Sequence, residues 1–455
     1  CTKCLESCVL LRTSNVTVEG MAAIAAHNLN IFEHAETRED MRKINGCNFC
    51  GLCKAVCPEG VDLAGFLLDT RTELYKQNAI APAQHEFWIR DMNFSDSNEA
   101  SLFYMPGAQK GRYMFFPGCQ AGGSDPRYVS MTYEKILEKY PDTSLLLHCC
   151  GAPVLWEGNL EALDTEHEKI RRYWSEAGCP EVIMICPSCQ RMFSRYLPEI
   201  PVKMLYDVID FEIDASLPFD EAAVFDPCSS RYDTKTQNQV RMLAEKSGVA
   251  LQELKYHGKK TQCCSWGGHV YNVNRTVTLR QAEEQISQSS LPYITYCTNC
   301  RDIFAYKGKE VRHILDIING INLDDRRDNP SLTQRRENRR RLRRDLIEKY
   351  SIDTVINDET PLIDIRMDSK VEKQLTDDLI LLEDVSAVIS NAERSGFYLI
   401  DSDTGHFYAH LKVGVFTYWA EYSKNEDGSY ELYRSYHHRM DVKDDVVDAV
   451  QWAYN

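Results

Sequence analysis

The positions of the cysteines constrain the fold of this chain more than any other feature. All but one of its 18 cysteines, Cys179, fall into two spacing patterns. The first pattern, near the amino terminus, comprises Cys1, Cys4, Cys8, Cys47, Cys50, Cys53 and Cys57. The second occurs twice: the first five-cysteine set is Cys119, Cys149, Cys150, Cys186 and Cys189, and the second five-cysteine set is Cys228, Cys263, Cys264, Cys297 and Cys300. Both patterns indicate thiolate ligands of iron–sulfur clusters, so the chain has to fold around several inorganic centres.

Composition excludes several other classes of protein. A chain of 455 residues predicts about three domains. Its net charge of −16 argues against nucleic acid or an anionic membrane surface as the main partner. No apolar run approaches the ~18 residues that span a bilayer, and no export signal is recognisable. We therefore expect a cytoplasmic protein without a transmembrane segment, which meets a membrane only through a partner.

Two other uses of cysteine remain open as alternatives. Disulfides suit small secreted chains, and the length of this chain and the lack of an export signal argue against them. Structural zinc is the main alternative for each Cys-x-x-Cys pair. The adjacent pairs Cys149–Cys150 and Cys263–Cys264, and the run that ends in Cys57 and Pro58, favour iron–sulfur ligation.

The amino-terminal pattern predicts two cubane 4Fe–4S clusters. Cys47-x-x-Cys50-x-x-Cys53-x-x-x-Cys57-Pro58 is the bacterial ferredoxin run, whose fourth cysteine ligates the neighbouring cluster. The other run lacks its first cysteine, and we expect the chain to begin inside the motif, with the missing ligand upstream. Crossed ligation then joins Cys1, Cys4 and Cys57 in one cluster, and Cys8, Cys47, Cys50 and Cys53 in the other. A three-iron cluster is the alternative for the incomplete site.

The two five-cysteine sets are copies of one unit, displaced by about 110 residues. Short apolar runs precede many of these cysteines and predict strands at 112–116, 144–148, 182–185, 222–225 and 293–296. Helical stretches follow, for example at 161–176 and 236–246. Alternating strands and helices predict an α/β layer with parallel strands in each half. Ligands of such sheets gather at the carboxyl ends of the strands, where these cysteines lie.

The motifs resemble those of the heterodisulfide reductase family over roughly residues 1–322. The repeated motif is similar to the cysteine-rich CCG domain of the family's B-type and D-type polypeptides, with Gly151 after the cysteine pair in the first copy and Ser265 in the second. Residues 18–32 and 37–44 have helical spacing, which resembles the α-helical ferredoxin domain of the family's C-type polypeptide. The resemblance implies that each five-cysteine set holds a non-cubane 4Fe–4S cluster. Ser265 is small, so we expect the second cluster to survive the replacement.

The resemblance also implies a mechanism. Two non-cubane clusters would face each other across a pocket, where a disulfide is pulled apart and each sulfur is captured by iron. Electrons would arrive through the cubane clusters from a flavin-containing subunit or another electron-donor protein, because the chain has no Gly-x-Gly-x-x-Gly run of its own. The alternative is a non-catalytic subunit that links a flavin dehydrogenase to a quinone or ferredoxin.

We predict an α/β multidomain fold. Its parts are an α-helical ferredoxin-like domain with two cubane clusters at 1–105, a first CCG half at 106–212, a second CCG half at 213–325, a charged linker or helix at 326–376 and a small α+β domain at 377–455. In the last part, helices are predicted at 381–394 and 441–453, and strands at 397–400, 406–422 and 430–440.

The role of the small α+β domain stays open from its sequence. A metal site would draw on His406, His410, His437 and His438. Docking of a partner, or alternatively core packing, would use Tyr418, Trp419, Tyr422, Tyr433 and Tyr436. The arginine-rich segment 335–344 predicts a solvated helix or a docking segment for an acidic partner.

Three further residues stand next to these motifs. Cys179 follows a predicted helix and is expected to be a small buried hydrophobic residue. His148 and His269 flank the cysteine pairs, where a structural role is the main interpretation. Hydrogen bonds to cluster sulfur or proton donation to a product thiol are the alternatives for both histidines.

Overall fold

The computed structural model divides into two compact units. The first unit is Cys1–Asn329 with Asn338–Thr354, and the second unit is Pro330–Glu337 with Val355–Asn455. The structure describes residues 3–14, 17–21, 23, 38–80, 82–107, 110–213, 217–322, 324–354 and 362–440. Among these residues, no helix combines the length and the apolar character needed to cross a lipid bilayer.

Short helices carry the amino-terminal cysteines. They span Lys3–Ser7, Val9–Ser14, Arg38–Asn45, Leu52–Val56, Leu63–Lys76 and Glu86–Ser95, with a 3-10 turn at Pro82–Gln84. The helix Leu63–Lys76 begins after Asp62, whose side chain accepts a hydrogen bond from the Gly65 N–H at 3.0 Å. The helix predicted at 37–44 is confirmed, and most of the one predicted at 18–32 lies outside the described residues.

The first half of the duplication is a five-stranded sheet. Its strands are β1 (Leu102–Tyr104), β2 (Tyr113–Phe116), β3 (Ser144–Leu147), β4 (Glu181–Met184) and β5 (Val202–Met204), in the order β1-β3-β2-β4-β5. Strands β2 to β5 are parallel, and β1 pairs antiparallel with β3. The helices are Cys119–Ser124, Arg127–Lys139, Ala152–Glu157, Leu160–Glu176 and Pro187–Tyr196, and Leu205–Asp207 is a 3-10 turn. All residues of β2 and β3 are buried, as expected for a sheet covered on both faces.

The second half repeats this arrangement. Its strands are β6 (Glu221–Phe225), β7 (Ala250–Glu253), β8 (Tyr293–Thr295) and β9 (Val311–His313), all parallel, in the order β7-β6-β8-β9. This order matches β3-β2-β4-β5 of the first half. The helices are Thr234–Lys246, Val270–Val273, Arg275–Ile286, Thr298–Tyr306 and Ile314–Ile318, with 3-10 turns at Cys228–Ser230, Gly258–Lys260 and Asp324–Arg326.

The predicted parallel strands are confirmed, and the cysteines follow their carboxyl ends. Cys119, Cys149 and Cys186 come directly after β2, β3 and β4, and Cys228 and Cys297 come directly after β6 and β8. Strands β1, β5, β7 and β9 were not predicted. Strands β1, β5 and β7 are partly exposed edge strands, and polar residues interrupt the apolar run in β5, β7 and β9.

The arginine-rich segment lies in a helix, Leu332–Tyr350, but the prediction that it is solvated is wrong. Arg335, Arg336, Arg339 and Arg343 are buried. In the first unit, Arg339 forms a two-pronged ion pair with Asp91, with N–O distances of 2.7 and 3.0 Å. In the second unit, Arg336 pairs with Glu383 at 2.6 Å. Arg336 and Arg339 are buried because carboxylates distant in sequence meet them, and Arg343 donates instead to the Ser101 carbonyl.

The described part of the second unit contains a five-stranded sheet, the helices Ser369–Asp377 and Leu382–Ser395, and the beginning of the helix Leu332–Tyr350. The strands are β10 (Ile365–Arg366), β11 (Leu399–Ile400), β12 (Phe407–Val413), β13 (Phe416–Lys424) and β14 (Tyr430–His438), in the order β10-β14-β13-β12-β11. The single strand predicted at 406–422 is wrong: it is two strands, because Gly414 has a φ of 59° and turns the chain. The helix predicted at 441–453 lies outside the described residues.

Candidate metal centres

The first five-cysteine set converges at the carboxyl edge of its sheet. The Sγ atoms of Cys119 and Cys149 are 3.6 Å apart. The Cys150 thiol contacts both Cys149 and Cys189, and these hydrogen bonds lower its pKa to about 6. Cys186 completes the set through its hydrogen bond with Cys189, which lowers the Cys186 pKa to about 7. The thiols thus form a continuous chain in the order 119, 149, 150, 189 and 186.

Two glycines make room for this set. A Cβ atom on Gly118 would lie 2.7 Å from the Cys189 Sγ, so a larger residue would displace the thiol. Gly151, directly after the cysteine pair, has a φ of 80°, in the left-handed region that side chains with a Cβ rarely adopt. Its conformation turns the chain immediately into the helix Ala152–Glu157.

The second five-cysteine set repeats the same chain of thiols. Cys228 and Cys263 are 3.8 Å apart, and Cys264 and Cys300 are 3.1 Å apart, measured between Sγ atoms. Hydrogen bonds with Cys264 and then Cys297 raise the pKa of Cys300 well above its usual value. The order 228, 263, 264, 300 and 297 is the counterpart of the order in the first half.

Ser265 takes the conformation of the glycine that it replaces. Its φ of 78° nearly equals that of Gly151. The residue is fully buried, and the Asn48 amide donates to its carbonyl oxygen at 3.2 Å and to that of Gly267 at 2.8 Å. The Ser265 N–H also points toward the Cys263 Sγ at 3.3 Å. Surrounding contacts therefore hold a serine in a backbone conformation that costs about 1–2 kcal/mol.

The amino-terminal cysteines fall into two neighbourhoods. Burial and the nearby Cys50 thiolate raise the pKa of Cys8 to about 12, with a smaller contribution from Cys53. Burial and then Cys50 also raise the pKa of Cys47. Cys4 instead lies beside Cys57, which, after burial, raises its pKa. Cys1 lies outside the described residues. The crossed pairing of the two ferredoxin runs stays a prediction.

The spacing of the thiols fits clusters better than single zinc ions. The ~2.3 Å Zn–S bond holds the sulfur atoms of a tetrahedral site roughly 3.8 Å apart. Among the described residues, no three cysteines have sulfur atoms that all lie within 4.8 Å of one another. The donors are nevertheless all sulfur, and each described one is buried or half-buried. Buried thiolates that repel each other require a cation among them, and a cluster of several irons provides a cation of the right size and softness.

One amino-terminal cysteine contacts the second set. The hydrogen bond between Cys50 and Cys263 is the largest influence on the Cys50 thiol, and its pKa is lowered to about 6. A Cβ atom on Gly268 would lie only 2.4 Å from the carbonyl oxygen of Cys47. The loop between Cys47 and Cys50 is therefore packed directly on the second half, with no space for an intervening side chain.

The two flanking histidines have different surroundings. His148 Nδ1 is 3.1 Å from Asp96 Oδ1, and its Nε2 is 4.0 Å from Glu166 Oε2. Asp96 also accepts the Cys149 N–H at 2.7 Å, and burial raises the Asp96 pKa to about 6. His269 instead pairs with His85 through their Nδ1 atoms at 2.8 Å. Both histidines are held by other side chains, in agreement with a structural role.

A cavity of about 80 Å³ opens at the second five-cysteine set. All five of its cysteines line this cavity, and the facing wall comes from the two helices that follow Gly151 and Cys186 in the first half. The other lining residues include Asn48, Ala152, Trp156, Ser188, Arg191, Arg195, Tyr196, Ser229, Trp266 and Asn299. The cavity thus combines thiols, aromatic walls, two arginines and several neutral hydrogen-bonding groups.

Sequence reasoning missed Arg71, Arg191 and Arg231 around the Cys47–Cys50 loop, and Asp96 beside His148. Arg191 and Arg231 come two and three residues after Cys189 and Cys228, so proximity to a cysteine could have pointed to them. Arg71 and Asp96 carry no such signal, because they reach the cysteines from other elements.

Two predictions about other residues change. Cys179 was expected to be buried and is exposed. It lies two residues beyond Ala177, the cap of the helix Leu160–Glu176, its φ is 59°, and its N–H donates to the Trp174 carbonyl oxygen at 2.9 Å. In the second unit, none of His406, His410, His437 and His438 belongs to a group of three potential ligands among the described residues. Tyr418 and Tyr422 are core residues there, whereas Tyr433 and Tyr436 are exposed.

Two family models match the chain: the 4Fe–4S dicluster domain over residues 1–62, and the Cysteine-rich domain, CCG, over residues 113–194 and 222–305. The chain is a CCG-domain iron–sulfur protein. The resemblance inferred from the cysteine motifs is thereby confirmed. The matches also support iron–sulfur binding by both parts of this CCG-domain protein, and an α/β fold with a duplicated CCG domain.

The curated relatives of this CCG-domain protein are methanogen proteins. An uncharacterized iron–sulfur protein of Methanococcus maripaludis is 22% identical over 66% of this chain and 65% of its own length. The B-type polypeptide of the fumarate reductase (CoM/CoB) of Methanothermobacter marburgensis has the same identity and coverage. The D-type polypeptide of the dihydromethanophenazine:CoB–CoM heterodisulfide reductase of Methanosarcina barkeri is 24% identical over 52% of this chain and 65% of its own.

The match therefore spans 65% of the length of these relatives. Among solved structures, a hypothetical protein from Helicobacter pylori is 10% identical over 62% of this chain and 61% of its own, with a TM-score of 0.41. A TM-score at that level supports no argument about the fold.

Proposed function

We propose that this chain is the iron–sulfur subunit of a heterodisulfide reductase-like complex, an oxidoreductase that reduces a disulfide or a related sulfur substrate. Its cofactors are two cubane and two non-cubane 4Fe–4S clusters. Bound clusters of these kinds supply electrons one at a time and iron atoms with affinity for sulfur. A flavin-containing subunit or another electron-donor protein is the partner that provides the electrons.

The ligands in this proposal follow the neighbourhoods of the thiols. Cys4 and Cys57, with Cys1, belong to one cubane site, in keeping with the contact between Cys4 and Cys57. The other cubane ligands are Cys8, Cys47, Cys50 and Cys53. The two five-cysteine sets are the ligands of the non-cubane clusters, and the identical order of thiol contacts in the two halves supports this assignment.

The two complete five-cysteine sets, with the same order of thiol contacts in both halves, are the observation that carries the proposal. A cluster held by the second set would occupy the cavity of about 80 Å³ that its five cysteines line, and Ser188, Ser229 and Asn299 would offer hydrogen bonds to a sulfur substrate beside it. The reaction breaks one S–S bond, consumes two electrons and two protons, and releases two thiols. The electrons come from the partner and the protons from solvent, so the chemical balance needs no further reactant.

The second candidate is a subunit that only relays electrons between a flavin dehydrogenase and a quinone or ferredoxin. A relay needs closely spaced clusters, which the contact between Cys50 and Cys263 also suits. It does not need complete five-cysteine sets in both halves. The two complete sets therefore favour catalysis over relay alone.

Anaerobic EPR of the full chain with its clusters tests the proposal. Oxidised protein is titrated with candidate thiols, and reduced protein with the matching disulfides. We expect a thiol-dependent signal that differs from the signals of cubane clusters. The absence of a substrate-dependent signal across a series of thiols and disulfides, in protein with full iron content, would instead support the relay.

A further inference from the structure

Three arginines surround the loop from Cys47 to Cys50, and we call them the arginine clasp. Arg71 Nη2 donates to the Cys47 carbonyl at 3.1 Å, and Arg191 Nη2 donates to the Phe49 carbonyl at 3.0 Å. Arg231 donates to the Cys50 carbonyl through Nε and Nη2, both at 3.2 Å. The carbonyls of three of the four residues in this loop thus each accept a guanidinium hydrogen bond.

The clasp comes from three separate parts of the first unit. Arg71 lies in the helix Leu63–Lys76, Arg191 in the helix Pro187–Tyr196 of the first half, and Arg231 directly after the 3-10 turn Cys228–Ser230 of the second half. Three positive charges from distant positions in the sequence therefore meet at one loop of four residues.

None of the three guanidinium groups is paired with a carboxylate among the described residues. Their other hydrogen bonds also go to main-chain carbonyls: Arg71 donates to Ile44, Trp156 and Gly268, and Arg231 donates to Lys259. Yet Arg71 is fully buried and Arg231 is 2% exposed. By contrast, the buried Arg339 in the same unit meets a carboxylate, Asp91.

Buried charges are stable only beside a compensating charge. The neighbours of the clasp that can carry negative charge are the thiols of the Cys47–Cys50 loop, which form part of a proposed cubane site. A 4Fe–4S centre with four thiolates has a net negative charge, and that charge grows by one when the centre is reduced. The cluster site therefore supplies the counter-charge that the three arginines otherwise lack.

We propose that Arg71, Arg191 and Arg231 raise the reduction potential of the cluster at Cys8, Cys47, Cys50 and Cys53 above that of the other cubane cluster, so that electrons collect beside the second five-cysteine set. The proposal rests on the cluster assignment in the proposed function. Positive charge stabilises the added electron, and net charge and hydrogen bonding are known determinants of cluster potential. Among the described residues, no clasp arginine donates to Cys4 or Cys57, whereas all three donate to the loop that carries Cys47 and Cys50, so the effect favours one cubane site over the other.

Electron transfer between clusters makes and breaks no bond. Cys8, Cys47, Cys50 and Cys53 would hold the clasped cluster, and an electron stored there would lie beside the second five-cysteine set, because Cys50 contacts Cys263. The clasp would thereby favour the half of the duplication whose cysteines line the cavity.

The test is a redox titration of the full chain with its clusters, with dithionite as reductant and EPR as readout. Arg71→Gln, Arg191→Gln and Arg231→Gln remove the charge, and Arg71→Lys, Arg191→Lys and Arg231→Lys keep it. The signal of the clasped cluster is identified by its loss in Cys53→Ala. We expect each Gln variant to reduce the equilibrium constant for reduction of this cluster about tenfold, or about 59 mV. The Lys variants should change it much less.

Arg343→Gln is the matched control, because it removes a buried guanidinium that donates to a carbonyl, that of Ser101, away from the cysteine loops. It should leave the potential unchanged. Potentials of all Gln variants within error of the unsubstituted protein would overturn the proposal. If a buried-arginine variant fails to assemble clusters, the half-buried Arg191 gives the same comparison.

This result is independent of the proposed reaction, since the titration uses no sulfur substrate. Unchanged potentials in protein that still reduces a disulfide would reject the clasp alone. A shifted potential in protein without any response to thiols would keep the clasp and reject the disulfide reductase activity.

Discussion

The two halves of the duplication contain the same five cysteines in the same order of contacts, but they differ in what surrounds them. In the first half, Asp96 and His148 enclose the cysteine pair, and Arg339 donates to the Cys119 carbonyl at 2.9 Å. In the second half, Cys263 contacts the amino-terminal Cys50, and the whole set lines a cavity. The same ligand set thus lies in different surroundings in the two halves. We expect these neighbours to decide which set receives electrons and which meets substrate.

The largest expected difference between the halves concerns substrate. Cys264→Ala should abolish the thiol-dependent EPR signal, because the cavity faces the second set. Cys150→Ala, the equivalent change in the first half, should retain that signal while turnover is lost. Cys179→Ala is the matched control, since this cysteine is exposed and distant from both patterns, and it should alter neither. Loss of the signal only in Cys150→Ala would reverse the assignment of the two halves.

The next largest effect is expected at the ion pair of Arg339 with Asp91, beside the first five-cysteine set. Arg339→Met leaves the Asp91 carboxylate buried without its partner, and we expect it to lower the free energy of unfolding by about 3–5 kcal/mol. The double variant Arg339→Met with Asp91→Leu removes both charges and should recover much of that loss. Denaturant unfolding of the two variants checks this. Equal stability of Arg339→Met and the unsubstituted protein would show that the pair contributes little.

Acid is expected to destabilise the protein through the buried pair of His85 and His269. Burial, and then the Arg71 charge, lowers the pKa of His85 to about 3. Between the ordinary pKa of about 6.5 and this value, the unfolded chain binds a proton that the folded chain does not. Stability therefore falls as the pH drops below about 6.5, by up to ~1.4 kcal/mol per pH unit for this one group. Below about pH 3 no further loss arises from it.

Thermal unfolding at pH 6.5 and 5.5 measures this dependence. His85→Gln removes the titrating group and should make the decrease in stability between these two pH values smaller. An unchanged decrease would mean that other groups cause the acid sensitivity.

The smallest expected effect is at the position directly after the cysteine pair, which is Gly151 in the first copy and Ser265 in the second. Ser265→Gly relieves a left-handed conformation and should stabilise the protein by about 1 kcal/mol. Gly151→Ser should destabilise it by more, because a Cβ there would also lie 2.8 Å from Leu163 Cδ1. Melting of the two variants in parallel gives the comparison. Destabilisation by Ser265→Gly would indicate that the serine side chain has a supporting role of its own.

Much of the fold and of the candidate site could be predicted from the sequence, because cysteine spacing and apolar runs are local signals. The parallel strands before Cys119, Cys149 and Cys228 follow directly from them. The surroundings could not be predicted, since they depend on contacts between distant residues. A run of arginines predicts a solvated helix, and only the structure shows that Asp91 pairs with Arg339. Likewise, Arg71 gives no sign in the sequence that it will reach Cys47.

Mössbauer spectroscopy of the full chain, with iron, zinc and acid-labile sulfide measured on the same sample, is the most direct test of whether the cysteines hold two kinds of iron–sulfur cluster. We expect abundant iron and sulfide, little zinc, and two classes of 4Fe–4S centre, one with cubane parameters and one with site-differentiated irons. Iron near zero, stoichiometric zinc, or cubane centres alone would contradict this expectation.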